Sequence, residues 1–324
     1  MNKWIKRILL FILIIFVSIS ILPYLFTVKT SGPTNEKPFI ESSFQNIDTI
    51  DLHYRFYSPI TDEAKGKIIM VHGLGGSTFS WRNNVQQLQD EGYLVLTVDL
   101  PGFGYSDKSL GTDHSQEARS ELLWSLLDTI DLSLAEDTGK LDWTLVGHSM
   151  GGGTVSAMAM NRSEDTEKLV LVSGALFDNN PSAIPNLIYY APIRRAIDVV
   201  YSNVILTNTR IESFLSSAYG RNPSKKEVEG YLNALKLSET PSFIPNFLKT
   251  TKSKPLEKLE KNKIPILFLT GENDTWVPEE QYKKLKELIP RTKVNVIEGA
   301  AHCSMETHPK EFNSLLLDFI EEKD

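Results

Sequence analysis

Leu145-Val146-Gly147-His148-Ser149-Met150-Gly151-Gly152 decides the fold, because a strand, a turn and a helix meet within it. Trp143 to Val146 is a short apolar run of the kind a buried parallel strand uses. It stops at the Gly-x-Ser-x-Gly pentapeptide Gly147–Gly151, and small residues as far as Ala159 then open a helix that can pack close to a sheet. So sharp a turn forces Ser149 into a strained backbone conformation, and the flanking glycines remove Cβ atoms that would clash there. The Ser149 hydroxyl is then presented above the sheet at a helix N-terminus, where backbone N–H groups favour a developing negative charge.

Outward from this stretch, strands and helices alternate. The pattern predicts strands at Lys67–His72, Tyr93–Asp99, Lys168–Val172, Ile264–Thr270 and Lys293–Ile297, with one or two edge strands in Ile47–Tyr57. Helices are expected at Ser80–Glu91, Ser115–Leu132, Glu279–Leu288 and Lys310–Glu321. The fold class is therefore α/β, a mostly parallel sheet with helices on both faces. Sites in such sheets lie at the carboxyl ends of the strands. From Leu176 to about Lys252 the periodicity is helical without a strand. The chain returns to the sheet at Ile264, so residues 176–252 read as an inserted helical cap in preference to an independent domain. Phe177, Ile184, Leu187, Tyr189, Tyr190, Ile193 and Phe214 supply it with apolar side chains for a roof over Ser149.

The N-terminus differs in kind. Ile8 to Val28 carries no charge, and as a helix its 21 residues span roughly 31 Å against a hydrocarbon core of ~30 Å. Ser18-Ile19-Ser20 is a poor cleavage site with apolar Ile21-Leu22 behind it, so an uncleaved signal anchor is the reading, over a cleaved signal peptide. Lys3, Lys6 and Arg7 precede the span and belong in the cytoplasm, which puts the body on the extracytoplasmic side of the cell membrane. The expected organisation is a transmembrane helix at 1–28, a polar linker at 29–39, and one domain at 40–324. With 41% hydrophobic and 23% charged residues the body has ample material for a core. The net charge of −7 argues against a nucleic-acid partner, and the single cysteine, Cys303, excludes an intrachain disulfide.

A serine hydroxyl needs a base within hydrogen-bond reach, itself oriented by an acid. His302 lies in the loop between the last strand and the last helix, where such a base belongs; His308 is the runner-up. Asp274 in Gly271–Pro278 is the acid chosen, ahead of Glu272 and Asp178. The order Ser149…Asp274…His302 is that of a nucleophile-elbow enzyme. Met150 N–H follows the serine, and Leu74 N–H in His72-Gly73-Leu74-Gly75-Gly76-Ser77 is the natural second donor to an oxyanion. Neither that loop nor Gly102-Phe103-Gly104 has phosphate-loop spacing, and no cluster has metal-ligand spacing.

Taken together, His72–Gly76, Asp99–Ser106, Gly147–Gly152, Gly271–Pro278 and Gly299–His302 resemble the α/β-hydrolase fold superfamily in its capped branch. The resemblance spans residues 40–324 and is specific for fold and nucleophile, less so for substrate. It implies a serine hydrolase that cleaves a carboxylic ester of a small molecule through an acyl-enzyme, without a cofactor or a metal, and the apolar roof favours a hydrophobic acyl group. A carbon–carbon bond or amide hydrolase with the same triad, and a ligand-binding receptor with vestigial turnover, are the alternatives.

Overall fold

Near-continuous apolar runs that must be covered on both faces make the central strands. The computed structural model describes residues 3–28, 37–61, 63–109, 111–134, 136–177, 186–237 and 240–322. Asp178, Ile184, the side chain of Leu187 and most of the 29–39 linker lie outside the described residues. The strands are β1 (Ser42–Ile47), β2 (Ile50–Tyr57), β3 (Gly66–Val71), β4 (Tyr93–Val98), β5 (Trp143–His148), β6 (Thr166–Val172), β7 (Ile266–Gly271) and β8 (Lys293–Ile297). They form one sheet in the order β1-β2-β4-β3-β5-β6-β7-β8, antiparallel at β1–β2 and β2–β4 and parallel elsewhere. Ile69 of β3 sits opposite Leu96 on one side and Leu145 on the other.

The side-chain period of two sends neighbours to opposite faces. Ile69, Val71, Leu145, Leu169 and Leu171 pack on one face, and Ile68, Met70, Val146, Val170 and Val172 pack on the other. Helices α2 (Val85–Asp90), α3 (Gln116–Ser133), α4 (Glu136–Gly139) and α5 (Met150–Asn161) follow β3, β4 and β5. Between β6 and β7 lie α6 (Ala191–Val200), α7 (Asn208–Tyr219), α8 (Lys225–Leu235), α9 (Thr240–Thr250) and α10 (Glu257–Lys261), with no strand among the described residues there. The chain ends in α11 (Glu280–Leu288), α12 (Ser304–Thr307) and α13 (Pro309–Glu321). Ahead of everything stands α1 (Lys3–Ile21), extended by a 3₁₀ turn at Leu22–Leu25. Within Lys3–Leu25 an 18-residue stretch has a mean hydropathy of 2.8, and the segment is long and apolar enough to cross a membrane.

Two local expectations change. Residues 80–91 are not one helix: Trp81 ends a 3₁₀ turn at Thr78–Trp81, and α2 starts only at Val85. Ser77 Oγ accepts the Phe79 amide, while the Asn84 side chain donates to the Met305 carbonyl and to Asn313, so tertiary bonds hold the chain out of helix. The edge is a two-stranded hairpin that starts earlier than Ile47, turning at Asp48 and Thr49, both at positive φ.

Topology sets the position of the site. The chain leaves β3 for β4 on one side, then crosses back to β5 on the other. A crevice opens where strand order reverses, at the carboxyl ends of β3 and β5.

Candidate active site

Ser149 occupies that crevice. It is the N-cap of α5 at φ 51° and ψ −117°, a conformation few non-glycine residues adopt. Its amide donates to the Val172 carbonyl at 2.9 Å, and its own carbonyl accepts from Gly152 and Ala175 at 2.9 and 3.0 Å. A Cβ on Gly151 would lie 2.4 Å from the Val71 carbonyl oxygen, so only glycine lets α5 approach β3 this closely.

His302 comes to the same place from the loop after β8. Its Nδ1–H donates to Asp274, 3.0 Å from Oδ2 and 3.2 Å from Oδ1, which leaves Nε2 available. Asp274 is in turn fixed by the Trp276 and Val277 amides, at 2.9 and 3.0 Å. Burial works to raise the Asp274 pKa, but the His302 hydrogen bond and charge overcome it and hold the carboxyl below its ordinary value. The alternatives fall elsewhere. Glu272 accepts from the Gly299 amide, and His308 bonds to the Thr307 hydroxyl at the start of α13.

Sequence reasoning missed two neighbours of His302. The Trp276 ring stacks on the imidazole with centroids 5.1 Å apart, and the His148 ring lies 4.7 Å away. His148 Nε2–H donates to the His302 carbonyl at 3.1 Å. Burial, helped by His302, pushes its pKa down to about 3, so it stays neutral. The x position of Gly-x-Ser-x-Gly was the available signal, though only the folded chain shows that it reaches a loop 154 positions away.

The glycine loop after β3 closes the crevice. His72 Nε2 accepts the Leu100 amide at 3.0 Å, so its Nδ1 carries the proton and donates to the Gly73 carbonyl at 2.7 Å. A Cβ on Gly73 would meet His148 Nδ1 at 2.8 Å and the Ser149 Cβ at 3.0 Å. Leu74 thereby reaches the wall of a small cavity of about 90 Å³, shared with Ser149, His302, Trp276, Phe214 and Tyr231. A larger cavity of about 500 Å³ adjoins it through Leu74, Phe214 and Tyr231. Among the described residues, Arg210 is the one basic side chain on its otherwise apolar and aromatic walls. Of the described apolar residues expected in the roof, Phe214 is the one on these walls; Tyr190 turns outward to stack on Phe16 of α1. No group of three or more His, Cys, Asp or Glu among the described residues could hold a metal ion.

A family model described as alpha/beta hydrolase fold matches residues 67–309. The chain belongs to the α/β-hydrolase fold family. This α/β hydrolase is 25% identical over 301 residues to the 2-hydroxy-6-oxononadienedioate/2-hydroxy-6-oxononatrienedioate hydrolase of Cupriavidus pinatubonensis, covering 86% of this chain and 95% of the relative. Its fold is similar to that of a serine hydrolase involved in carbazole degradation, with TM-score 0.67, 20% identity, and 86% and 98% of the two chains covered. It is equally similar to a bacterial membrane phospholipase A, with TM-score 0.66, 18% identity, and 99% and 98% covered.

Proposed function

We propose that Ser149, His302 and Asp274 are the triad of a serine hydrolase. The observation that carries this is the Asp274–His302 hydrogen bond, with His302 and a strained Ser149 lining one small cavity at the strand-order reversal. Ser149 Oγ attacks the carbonyl carbon as His302 Nε2 takes its proton, and Asp274 stabilises the imidazolium. The N–H groups of Leu74 and Met150 face the oxyanion. Collapse breaks the bond to the leaving group, which takes the proton from His302, and water then releases the acyl group from Ser149 by the same steps.

Two leaving groups are compatible with this machinery. The Cupriavidus relative's named substrate has a ketone and carboxylates but no ester, which supports carbon–carbon cleavage ahead of ester cleavage. In that reaction the departing carbon must hold the electron pair of the broken bond as an enolate, which is then protonated by His302. Ester cleavage, the reaction expected from the sequence, is favoured by the walls. A dioate brings two carboxylates, whereas the described walls offer Arg210 alone and suit an uncharged acyl group. Trials of p-nitrophenyl esters of rising acyl length beside a 2-hydroxy-6-oxo dienoate, with Ser149→Ala as control, separate the two. Burying a methylene contributes ~0.8 kcal/mol, so kcat/KM on the preferred class climbs about fourfold per carbon until the cavity is full. Turnover of neither class, or turnover that survives Ser149→Ala, refutes the assignment.

The α1 segment is proposed as a single membrane span with the hydrolase domain outside, and α6 to α9 as the cap over the site. The charge-free run behind three basic residues supports the first, and the cavity-lining side chains of α7, α8 and α9 support the second.

A further inference from the structure

The residues that follow α1 are held against the body by hydrogen bonds from α6 and the turn after it. Arg195 Nη2 of α6 donates to the Phe26 carbonyl at 3.0 Å, and Asn203 Nδ2 donates to the Thr27 carbonyl at 2.8 Å. Tyr190, at the start of α6, meets Ser20 through its hydroxyl at 3.1 Å and stacks on Phe16. Ser20 and Phe16 lie before Leu25, the outer end of the apolar segment, so this corner of the cap reaches to the level of the last turns of the span. Lipid surrounds a protein surface at that level.

The cap has a surface suited to it. Val200, Val204 and Ile205 follow at helical spacing through α6 and the π-helical turn at Tyr201–Ile205, and each is 45–48% exposed. Arg194 and Arg195 stand on the same helix, where phosphate headgroups would meet them. Ile205 is also part of the wall of the 500 Å³ cavity, together with exposed Leu248. The apolar patch and the rim of the cavity are thus one continuous surface.

We infer that this cap face docks on the outer leaflet of the membrane that α1 crosses, and that the cavity takes an acyl-bearing amphiphile directly from that lipid. The inference rests on the proposed span and hydrolase reaction, but it has a readout independent of catalysis. The full chain is placed in phosphatidylcholine–phosphatidylglycerol vesicles with a Val204→Cys variant carrying an environment-sensitive fluorophore; the native Cys303 is buried and escapes labelling. Leu132→Cys serves as the reference, because Leu132 is 90% exposed and its neighbour Asp131 binds Lys67 at the opposite end of β3 from Ser149. Acyl chains bearing a quencher are expected to dim the probe at 204 severalfold and to leave the probe at 132 unchanged. Equal quenching by aqueous iodide at both positions would overturn the docking. Val200→Glu with Val204→Glu supplies the functional arm. It should keep hydrolysis of a water-soluble ester and lose at least tenfold on a fluorogenic diacyl ester in the same vesicles. An equal rate on the embedded ester overturns substrate uptake from lipid, while loss of the soluble reaction in the unsubstituted chain would strike the proposed reaction and leave the quenching result standing.

Discussion

The two carboxylates behind β7 differ in reach. Asp274 turns inward to His302, whereas Glu272 turns back to the Gly299 amide at the surface. Asp274→Asn should therefore lower kcat by on the order of 10³–10⁴-fold by presenting an amide to the His302 Nδ1–H, while Glu272→Gln leaves the rate nearly unchanged. Ser149→Ala and His302→Ala should each cost on the order of 10³–10⁶-fold, and the double variant little more, because the groups act as a unit. His308→Ala should be nearly silent; were it the silencing change instead, the base would be wrongly assigned. Ser149, Asp274 and His302 were legible as candidates because each follows a strand end in chain order. His148 and Trp276 were not, since what they do depends on which loops meet in space. The same holds for Tyr190, whose ring packs on α1 and not over Ser149.

At the scale of elements, the buried strands declared themselves by apolar runs and the edge strand β8 was expected where it lies, but the opposite edge, β1, was not. Ser42–Ile47 is polar at four of its six positions because only one face of β1 is covered, and its turn at Asp48-Thr49 lacks the glycine that marks most two-residue hairpins. The helical insertion was legible by period alone, but its attachment was not. Buried Glu306 of α12 accepts from Tyr219 of α7 and Tyr231 of α8 and pairs with Arg82, so one carboxylate ties the insertion to the body. The α1 helix carries a prediction of its own. From Ile8 to Ile21 the helix rises ~21 Å and the following 3₁₀ turn adds ~8 Å, close to a ~30 Å core, and the basic cluster ahead of Ile8 should stay in the cytoplasm. External protease on intact cells should digest the domain, and a high-salt wash should leave the chain in the membrane. Protection from protease would place the domain on the inner side.

The whole molecule stacks two apolar layers on one sheet, and three histidines are enclosed in it without becoming charged. His72, His114 and His148 all lie below the ordinary histidine value because burial disfavours the cation, and for His114 and His148 the value falls to about 3. Above pH ~6.5 the imidazoles are neutral in both the folded and the unfolded chain, so they leave stability unchanged. Below it the unfolded chain binds protons that the folded chain refuses, and each group withdraws up to ~1.4 kcal/mol of stability per pH unit. Asp274 works at lower pH, since a carboxyl with a lowered value loses its contribution only as pH falls through ~4 and below. The interval from pH 6.5 to 4.5 therefore belongs to the imidazoles, and the melting temperature of the detergent-solubilised chain should drop steeply across it. His114 offers the cleanest test. Its ring lies 5.7 Å from both Phe243 and Phe247, and neither of its nitrogens has a hydrogen-bond partner among the described residues. His114→Phe should keep the packing, remove one refused proton, and flatten the acid slope while leaving stability at pH 8 equal or higher. A slope that does not change on this substitution would show that His114 accepts its proton in the folded state and that its burial is not a source of the acid slope.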